Sequence, residues 1–199
     1  MKANRRWFFV AAILLVVLFL FASYSRGDGD EARFQWNLIS VAVIGGVPTL
    51  QPGGTDTAKA PDNSVISLTG AGTFMPGEPN EVTGGGTWLV TDATGHVLGT
   101  GTFRVTRLVR FDPAPGSIPA FINDTVGDRT HATSGLVFLA IHYSDGSRGI
   151  LVVSCMLPVG SPASMFEGVT ASKGFVDFFN HASGNTLFHQ LSEEENEGN

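Results

Sequence analysis

The sequence has a single cysteine, Cys155, so no intramolecular disulfide can form. Small exported domains often depend on such cross-links, and this chain must instead be stabilised by packing. Cys155 stands in the apolar run at residues 150–156, where a lone thiol behaves as a small buried apolar side chain. We therefore expect Cys155 to lie in the core and to have no catalytic role.

Familiar catalytic and cofactor motifs are also missing. The sequence contains no Gly-x-Ser-x-Gly turn, His-Glu-x-x-His zinc motif, Cys-x-x-Cys pair, Walker phosphate loop or Asp-rich calcium loop. The five histidines are never two or four residues apart, so no single strand or helix offers a pair of imidazole ligands. No metal ion or organic cofactor is therefore expected.

Basic residues are scarce, with 12 Lys and Arg against 18 Asp and Glu and a formal net charge of −6. Loss of Lys2, Arg5 and Arg6 with a cleaved signal would leave 9 − 18 = −9. Nucleic acids and anionic membrane surfaces are bound through a basic footprint. We expect no nucleic acid partner, and a membrane partner only through residues 7–22 if the signal stays uncleaved.

Only one long apolar run is present, at the N terminus. Lys2, Arg5 and Arg6 precede 16 residues without a polar side chain, 7–22, and small and polar residues follow. This order is typical of a secretory signal. Residues 1–25 are therefore assigned to a hydrophobic signal helix, either a cleaved signal peptide or a signal anchor. The expected location is secreted or extracytoplasmic, or alternatively membrane-anchored.

Glycine and phenylalanine are abundant, with 25 and 15 copies. Three segments share the form Gly-x-Gly-Thr-aromatic at spacings of 14 and 15 residues, namely 70–74, 84–88 and 99–103. That period matches one strand plus one turn and predicts a meander whose aromatic residues enter the core. We predict an all-β fold over residues 26–191, as a single antiparallel barrel of about eight strands or alternatively a β-sandwich. A disordered acidic tail is expected at 192–199.

One hairpin is predicted where two apolar runs, 136–143 and 150–157, flank Asp145-Gly146, a favoured two-residue loop. That loop would pair Ile141 with Ile150. Both faces of the ribbon are apolar, so we expect it to be covered on both sides. Further strands are predicted at 36–44, 65–69, 72–75, 87–91, 97–111 and 166–178, and loops at 45–63, 76–83 and 112–133.

The strand predicted at residues 166–178 carries the candidate catalytic site. Period-two alternation puts Glu167 and Lys173 on one face among apolar neighbours. Charged groups there either face solvent, the commoner arrangement, or point into a cavity, where burial shifts their pKa values. In the second case Glu167 is a candidate general base and Lys173 its electrostatic partner, with His142 nearby.

The segment at residues 99–107, Gly-Thr-Gly-Thr-Phe-Arg-Val-Thr-Arg, resembles the glycine-rich strand of the dirigent and allene oxide cyclase barrel superfamily. That resemblance implies a small closed barrel with an apolar interior that holds a small lipophilic molecule. Residues 143–149 and 166–178 resemble exported β-barrel-like proteins with no assigned activity.

Three functions remain open on the sequence. The first is an exported binding module whose interior or mouth takes a small apolar ligand, suggested by the many phenylalanines. The second is a cofactor-free isomerase or cyclase that uses Glu167, Lys173 and His142 for acid/base chemistry. The third is a structural or interaction protein of the cell exterior that binds partners through the loop at 112–133.

Overall fold

The computed structural model describes residues 32–192, which form an all-β domain with one short 3-10 helix at Arg129–His131. The strands are β1 (Phe34–Ile44), β2 (Val47–Pro52), β3 (Asp56–Lys59), β4 (Val65–Met75), β5 (Glu78–Val82), β6 (Gly85–Thr91), β7 (Val97–Ala114), β8 (Asn123–Asp124), β9 (Ala132–Tyr143), β10 (Arg148–Cys155), β11 (Gly168–Lys173), β12 (Val176–Phe178), β13 (Asn180–Ser183) and β14 (Asn185–Gln190). The all-β prediction is confirmed. The predicted signal helix at residues 1–25 and the acidic tail after residue 192 lie outside the described residues.

Strand pairing joins these elements into one large sheet. The main path runs β12, β11, β10, β9, β7, β6, β4, β1, β2, β8, and its pairs are antiparallel except for β2 with β8. β3 and β5 branch from β4, and β13 pairs with β3. The described sheet therefore has 14 strands and is mixed, which corrects the predicted number of about eight. It does not form a clear barrel. No helix within residues 32–192 has the length and apolar character needed to cross a bilayer.

The last strand connects distant parts of the sheet. β14 pairs with β1 from Asn185 to Gln190, and with β9 through Phe188 and His189. The pairing path β1, β4, β6, β7, β9, β14 thus returns to β1. The sequence analysis missed β14 because Asn-Thr-Leu-Phe-His-Gln holds only two apolar residues, Leu187 and Phe188, which shows no period-two pattern. Both are nonetheless fully buried.

The glycine repeat falls in β4, β6 and β7, which are neighbours in the sheet, as the meander prediction requires. Its aromatic residues Phe74, Trp88 and Phe103 are all buried. The glycines of one strand make room for the tryptophan of the next. Trp88 lies across Gly99 and Gly101, and a Cβ added to Gly99 would stand 3.1 Å from the indole.

The β9–β10 hairpin is present, but its register differs by one residue from the prediction. Ile150 pairs with Ala140 and not with Ile141. The loop has three residues. Only the last of them, Gly146, takes a positive φ, 87°, and its N–H donates to the carbonyl of Tyr143. A type I turn followed by a left-handed glycine replaces the predicted two-residue turn.

The two faces of this hairpin have different environments. Val137, Leu139, Leu151 and Cys155 are fully buried on one face. Phe138 and its neighbours on the other face are only half-buried. The prediction of cover on both sides is therefore wrong, whereas the prediction of a buried Cys155 is confirmed. Burial raises the pKa of the Cys155 thiol, which keeps it protonated.

Segments predicted as loops contain strands. β2 and β3 lie within 45–63, β5 within 76–83, and β8 with the 3-10 helix within 112–133. Pro48 and Pro52 favoured a loop, yet both lie in β2, whose outer neighbour is only the short β8. Proline is tolerated in strands near a sheet edge, where the missing N–H breaks no ladder. The strand predicted at 166–178 is divided into β11 and β12 by a turn at Gly174 (φ 60°).

Candidate functional site

Glu167 precedes β11 and points inward. Its Oε2 accepts the N–H of Met156 at 2.5 Å, and its Oε1 accepts the N–H of Thr186 at 2.6 Å. Burial raises the pKa of Glu167 to about 7, and these two N–H groups act in the opposite direction. The side chain lines an apolar cavity of about 170 Å³ with Leu50 and Leu187. The solvent-facing alternative for Glu167 is therefore not what the structure shows.

A second buried carboxyl group, on Asp56, was not found from the sequence. Asp56 is fully buried in β3, and neither oxygen has a hydrogen bond partner among the described residues. Burial first, and then the charge of Glu167, raise the pKa of Asp56 to about 7. The amide of Asn185 lies nearby and has a smaller, opposite effect. Only the tertiary fold brings Asp56 and Glu167 together, so no local pattern could have indicated the pair.

Lys173 lies at the far end of β11 from Glu167. Its Nζ forms an ion pair with Asp145 and donates to Oγ of Ser147 at 3.0 Å. Five residues lie between Glu167 and Lys173, and the strand from Gly168 to Lys173 spans about 17 Å. The structure therefore does not bring these two side chains into one site.

His142 belongs to a third environment. His142 lies on the half-buried face of β9, whereas the preceding Ile141 lies on the buried face. The Nδ1 of His142 lies 3.3 Å from a guanidinium nitrogen of Arg104. Desolvation, followed by the charges of Arg148 and Arg104, lowers the pKa of His142. Because Tyr143 is adjacent in the strand and contacts Lys173, His142 faces away from Lys173. The three predicted catalytic residues are thus in three separate places.

A cavity of about 520 Å³ lies next to Lys173. It opens between the β6–β7 hairpin on one side and the β11–β12 turn on the other, with the β9–β10 loop beside it. We call it the Trp88 cleft. Its apolar lining consists of Trp88, Val90, Leu98, Phe175, Val176 and Phe178.

The polar side of the Trp88 cleft is small and carries one charge of each sign. Asp145, Ser147 and Lys173 line it together with Thr100. The hydrogen bonds from Lys173 and Ser147 lower the pKa of Asp145 to about 2. Asp145 is therefore ionised at neutral pH, and its partner in the ion pair is Lys173.

Two aromatic rings complete this corner of the cleft. The Nζ of Lys173 lies 4.2 Å from the ring centroid of Trp88 and 5.0 Å from that of Tyr143. The two rings are 5.8 Å apart and almost perpendicular, at 84°. The hydroxyl of Tyr143 donates to the carbonyl of Ser172 at 2.9 Å, which fixes its ring. The sequence analysis singled out Lys173 but not these rings, although the aromatic position of the glycine repeat already pointed to Trp88.

Within residues 32–192, no three His, Cys, Asp or Glu side chains are grouped so that they could hold a metal ion. No family model, curated protein or solved structure matches this chain. The function must therefore be argued from the cavities and their side chains.

Proposed function

We propose that this protein binds a small, largely apolar molecule in the Trp88 cleft. The observation that carries this proposal is an open cavity of about 520 Å³ with six apolar side chains in its lining. Cavities of about 300–1,000 Å³ with mainly apolar walls and a few polar groups are typical of small-molecule sites. Leu98 and Phe175 are 61% and 101% exposed and line the same cleft, and exposed apolar side chains that lie together mark interaction sites.

A barrel-like enclosure and an extracytoplasmic location belong to the same proposal. The return of the strand path to β1 through β14 supports the enclosure. The apolar run at residues 7–22 behind Lys2, Arg5 and Arg6 supports export. A binding module outside the cytoplasm would meet its ligand in the medium or in the cell envelope.

The proposal is tested with N-phenyl-1-naphthylamine, a neutral dye that fluoresces in apolar surroundings. Leu98→Glu adds a charge to the cleft wall, and we expect dye affinity to fall about tenfold, since placing an unpaired charge against a bound apolar molecule costs at least about 1.4 kcal/mol. Val109→Glu is the matched control, because Val109 is on the same strand, 56% exposed, and outside the cleft. Equal dye binding by both variants and the wild type would contradict the proposal.

Acid/base catalysis at Glu167 is a second candidate function. It is favoured by one observation, a carboxyl group whose pKa is raised to about 7 and which lines an apolar cavity. A group with a pKa near the working pH can both accept and donate a proton. The test incubates the protein with an extract of small molecules and follows their conversion by mass spectrometry, and Glu167→Gln should abolish any conversion that the wild type carries out. Conversion at the wild-type rate would eliminate this candidate.

A further inference from the structure

The ammonium group of Lys173 is enclosed by two perpendicular aromatic faces and a carboxylate. Trp88 and Tyr143 present their rings at 4.2 and 5.0 Å from Nζ, and Asp145 forms the ion pair. The side chain of Lys173 is only 14% exposed. Aromatic walls that meet at a right angle beside an acidic group are an arrangement that recognises ammonium ions, because the ring faces carry negative electrostatic potential.

We propose that the Trp88 cleft selects ligands that carry an ammonium or quaternary ammonium group, which replaces the Lys173 ammonium between Trp88 and Tyr143. This inference rests on the proposed function of the cleft and adds the chemical class of its ligand. The apolar body of the ligand would lie along Val90, Val176 and Phe178, and its cationic group would contact Asp145.

Charge in and around the cleft favours a cation over an anion. Among residues 32–192, Lys173 and Asp145 are the only charged residues that line it. When the Lys173 side chain turns away, the carboxylate of Asp145 stays beside the aromatic faces as one uncompensated negative charge. The whole chain has a net charge of −6, which attracts cations at long range. A carboxylate ligand would instead meet Asp145 and the overall negative field.

Lys173 can leave this position without unfolding a strand. It is the last residue of β11, directly before the turn at Gly174 and the fully exposed Phe175. Its ammonium group is carried by a flexible four-carbon stem. The side chain can therefore rotate toward the open mouth while the backbone pairing of β11 is retained. Lys173 thus acts as an internal competitor for the cationic group of the ligand.

A purely structural role for Lys173 makes a different prediction. If its ion pair only holds the β11–β12 turn against the β9–β10 loop, removal of the ammonium weakens the contact between the turn and the loop. The cleft then gains no preference for cationic ligands. The two roles are separated by an isosteric pair of probes, 3-hydroxyphenyltrimethylammonium and the neutral 3-tert-butylphenol. These molecules share size and shape and differ in charge.

The experiment measures the affinity of the purified protein for both probes by NMR titration. Lys173→Met removes the competing ammonium and keeps an apolar stem, so we expect cation affinity to rise about tenfold, and the ratio of cation affinity to neutral-probe affinity to rise at least threefold. Lys59→Met is the control, because Lys59 lies in β3 and does not line the cleft. Asp145→Asn in the Lys173→Met background should remove the preference for the cation.

The wild type gives an independent readout that does not need a variant to fold. The Nζ of Lys173 lies 4.2 Å from the centroid of the Trp88 ring, so the adjacent ε-methylene protons should carry a ring-current shift. The cationic probe should abolish that shift, and the neutral probe should leave it in place. If the cation neither gains affinity in Lys173→Met nor moves the Lys173 resonances, while the neutral probe still binds, the inference is overturned and the proposed function stands. If neither probe binds any form of the protein, the proposed function fails with it.

Discussion

The Nε2 atom of His189 lies 2.8 Å from Oδ2 of Asp124, and the two side chains are only 2% and 1% exposed. The other carboxylate oxygen of Asp124 accepts the N–H of Val126 at 2.9 Å. Gly127 packs against the imidazole so closely that a Cβ would lie 2.9 Å from it. This buried pair attaches the segment between β7 and β9 to β14, which explains why a stretch rich in proline and glycine has a defined structure.

Loss of this pair should destabilise the protein and release the segment. Asp124→Ala leaves His189 buried without its partner, and we expect the free energy of unfolding to fall by about 3 kcal/mol. Hydrogen exchange should show faster amide exchange for residues 122–127. Asp177→Ala is the control, since Asp177 is an exposed aspartate in β12. A loss in Asp124→Ala no greater than in the control would contradict a stabilising role for the pair.

The buried carboxyl groups of Asp56 and Glu167 make stability depend on pH. Their pKa values in the folded protein are raised to about 7, above the unfolded values near 4, so the folded state holds the protons more tightly. The stabilisation is fully present below about pH 4 and is lost as the pH rises through 7. For Asp56 alone, the free energy of unfolding should decrease by up to about 4 kcal/mol over this pH range.

Thermal unfolding followed by circular dichroism between pH 5 and 9 tests this prediction. We expect the wild-type Tm to fall between pH 5 and about 8 and then to level off. The Tm of Asp56→Asn should fall less over the same range, because Asn stays neutral and only Glu167 still loses its proton. His181, whose pKa is lowered by burial, gives a slope of opposite sign that is common to both proteins and cancels in the difference. Parallel curves for the two proteins would show that Asp56 does not titrate in this range.

Trp88 packs directly against the glycines of β7, so adding a single methyl group there should lower the free energy of unfolding. Gly101→Ala would place a Cβ against Oγ of Ser144 and 3.0 Å from Nε1 of Trp88, so the indole or the loop must move. We expect a loss of about 1–3 kcal/mol in unfolding free energy, typical of overpacking, and a change in Trp88 fluorescence. Val109→Ala, at an exposed position of the same strand, should change stability by less than about 0.5 kcal/mol. Equal stability of the two variants would mean that the indole has free space.

Local sequence patterns predicted much of the fold. The glycine repeat identified the neighbouring strands β4, β6 and β7. It could do so because a tryptophan on one strand needs glycines on the strand beside it, and this need recurs along the chain. The turn at Gly146 was located, but its register was not, since Asp-Gly suits both a two-residue turn and a three-residue loop. β2 was missed because its prolines are read as loop signals, and only its place near the edge of the sheet makes them acceptable.

The candidate site was predictable only in part. Alternation singled out Glu167 and Lys173 as charges among apolar neighbours, and each does lie beside a cavity. Their partners come from other strands. Asp56 and Asp145 reach them through pairings that no local pattern encodes, and this is why two separate environments were read as a single catalytic site.

The Trp88 cleft is proposed to bind an apolar molecule, and NMR can locate such a molecule residue by residue. The most direct measurement is a ¹H–¹⁵N NMR titration of the purified protein with 3-tert-butylphenol, with the shifted amides assigned. We predict that the shifts concentrate in residues 88–91 and 97–101 and in the turn at 173–176, and that they saturate. Saturating shifts around Leu50 and Glu167 instead, or no saturable shifts in the described strands, would contradict the claim.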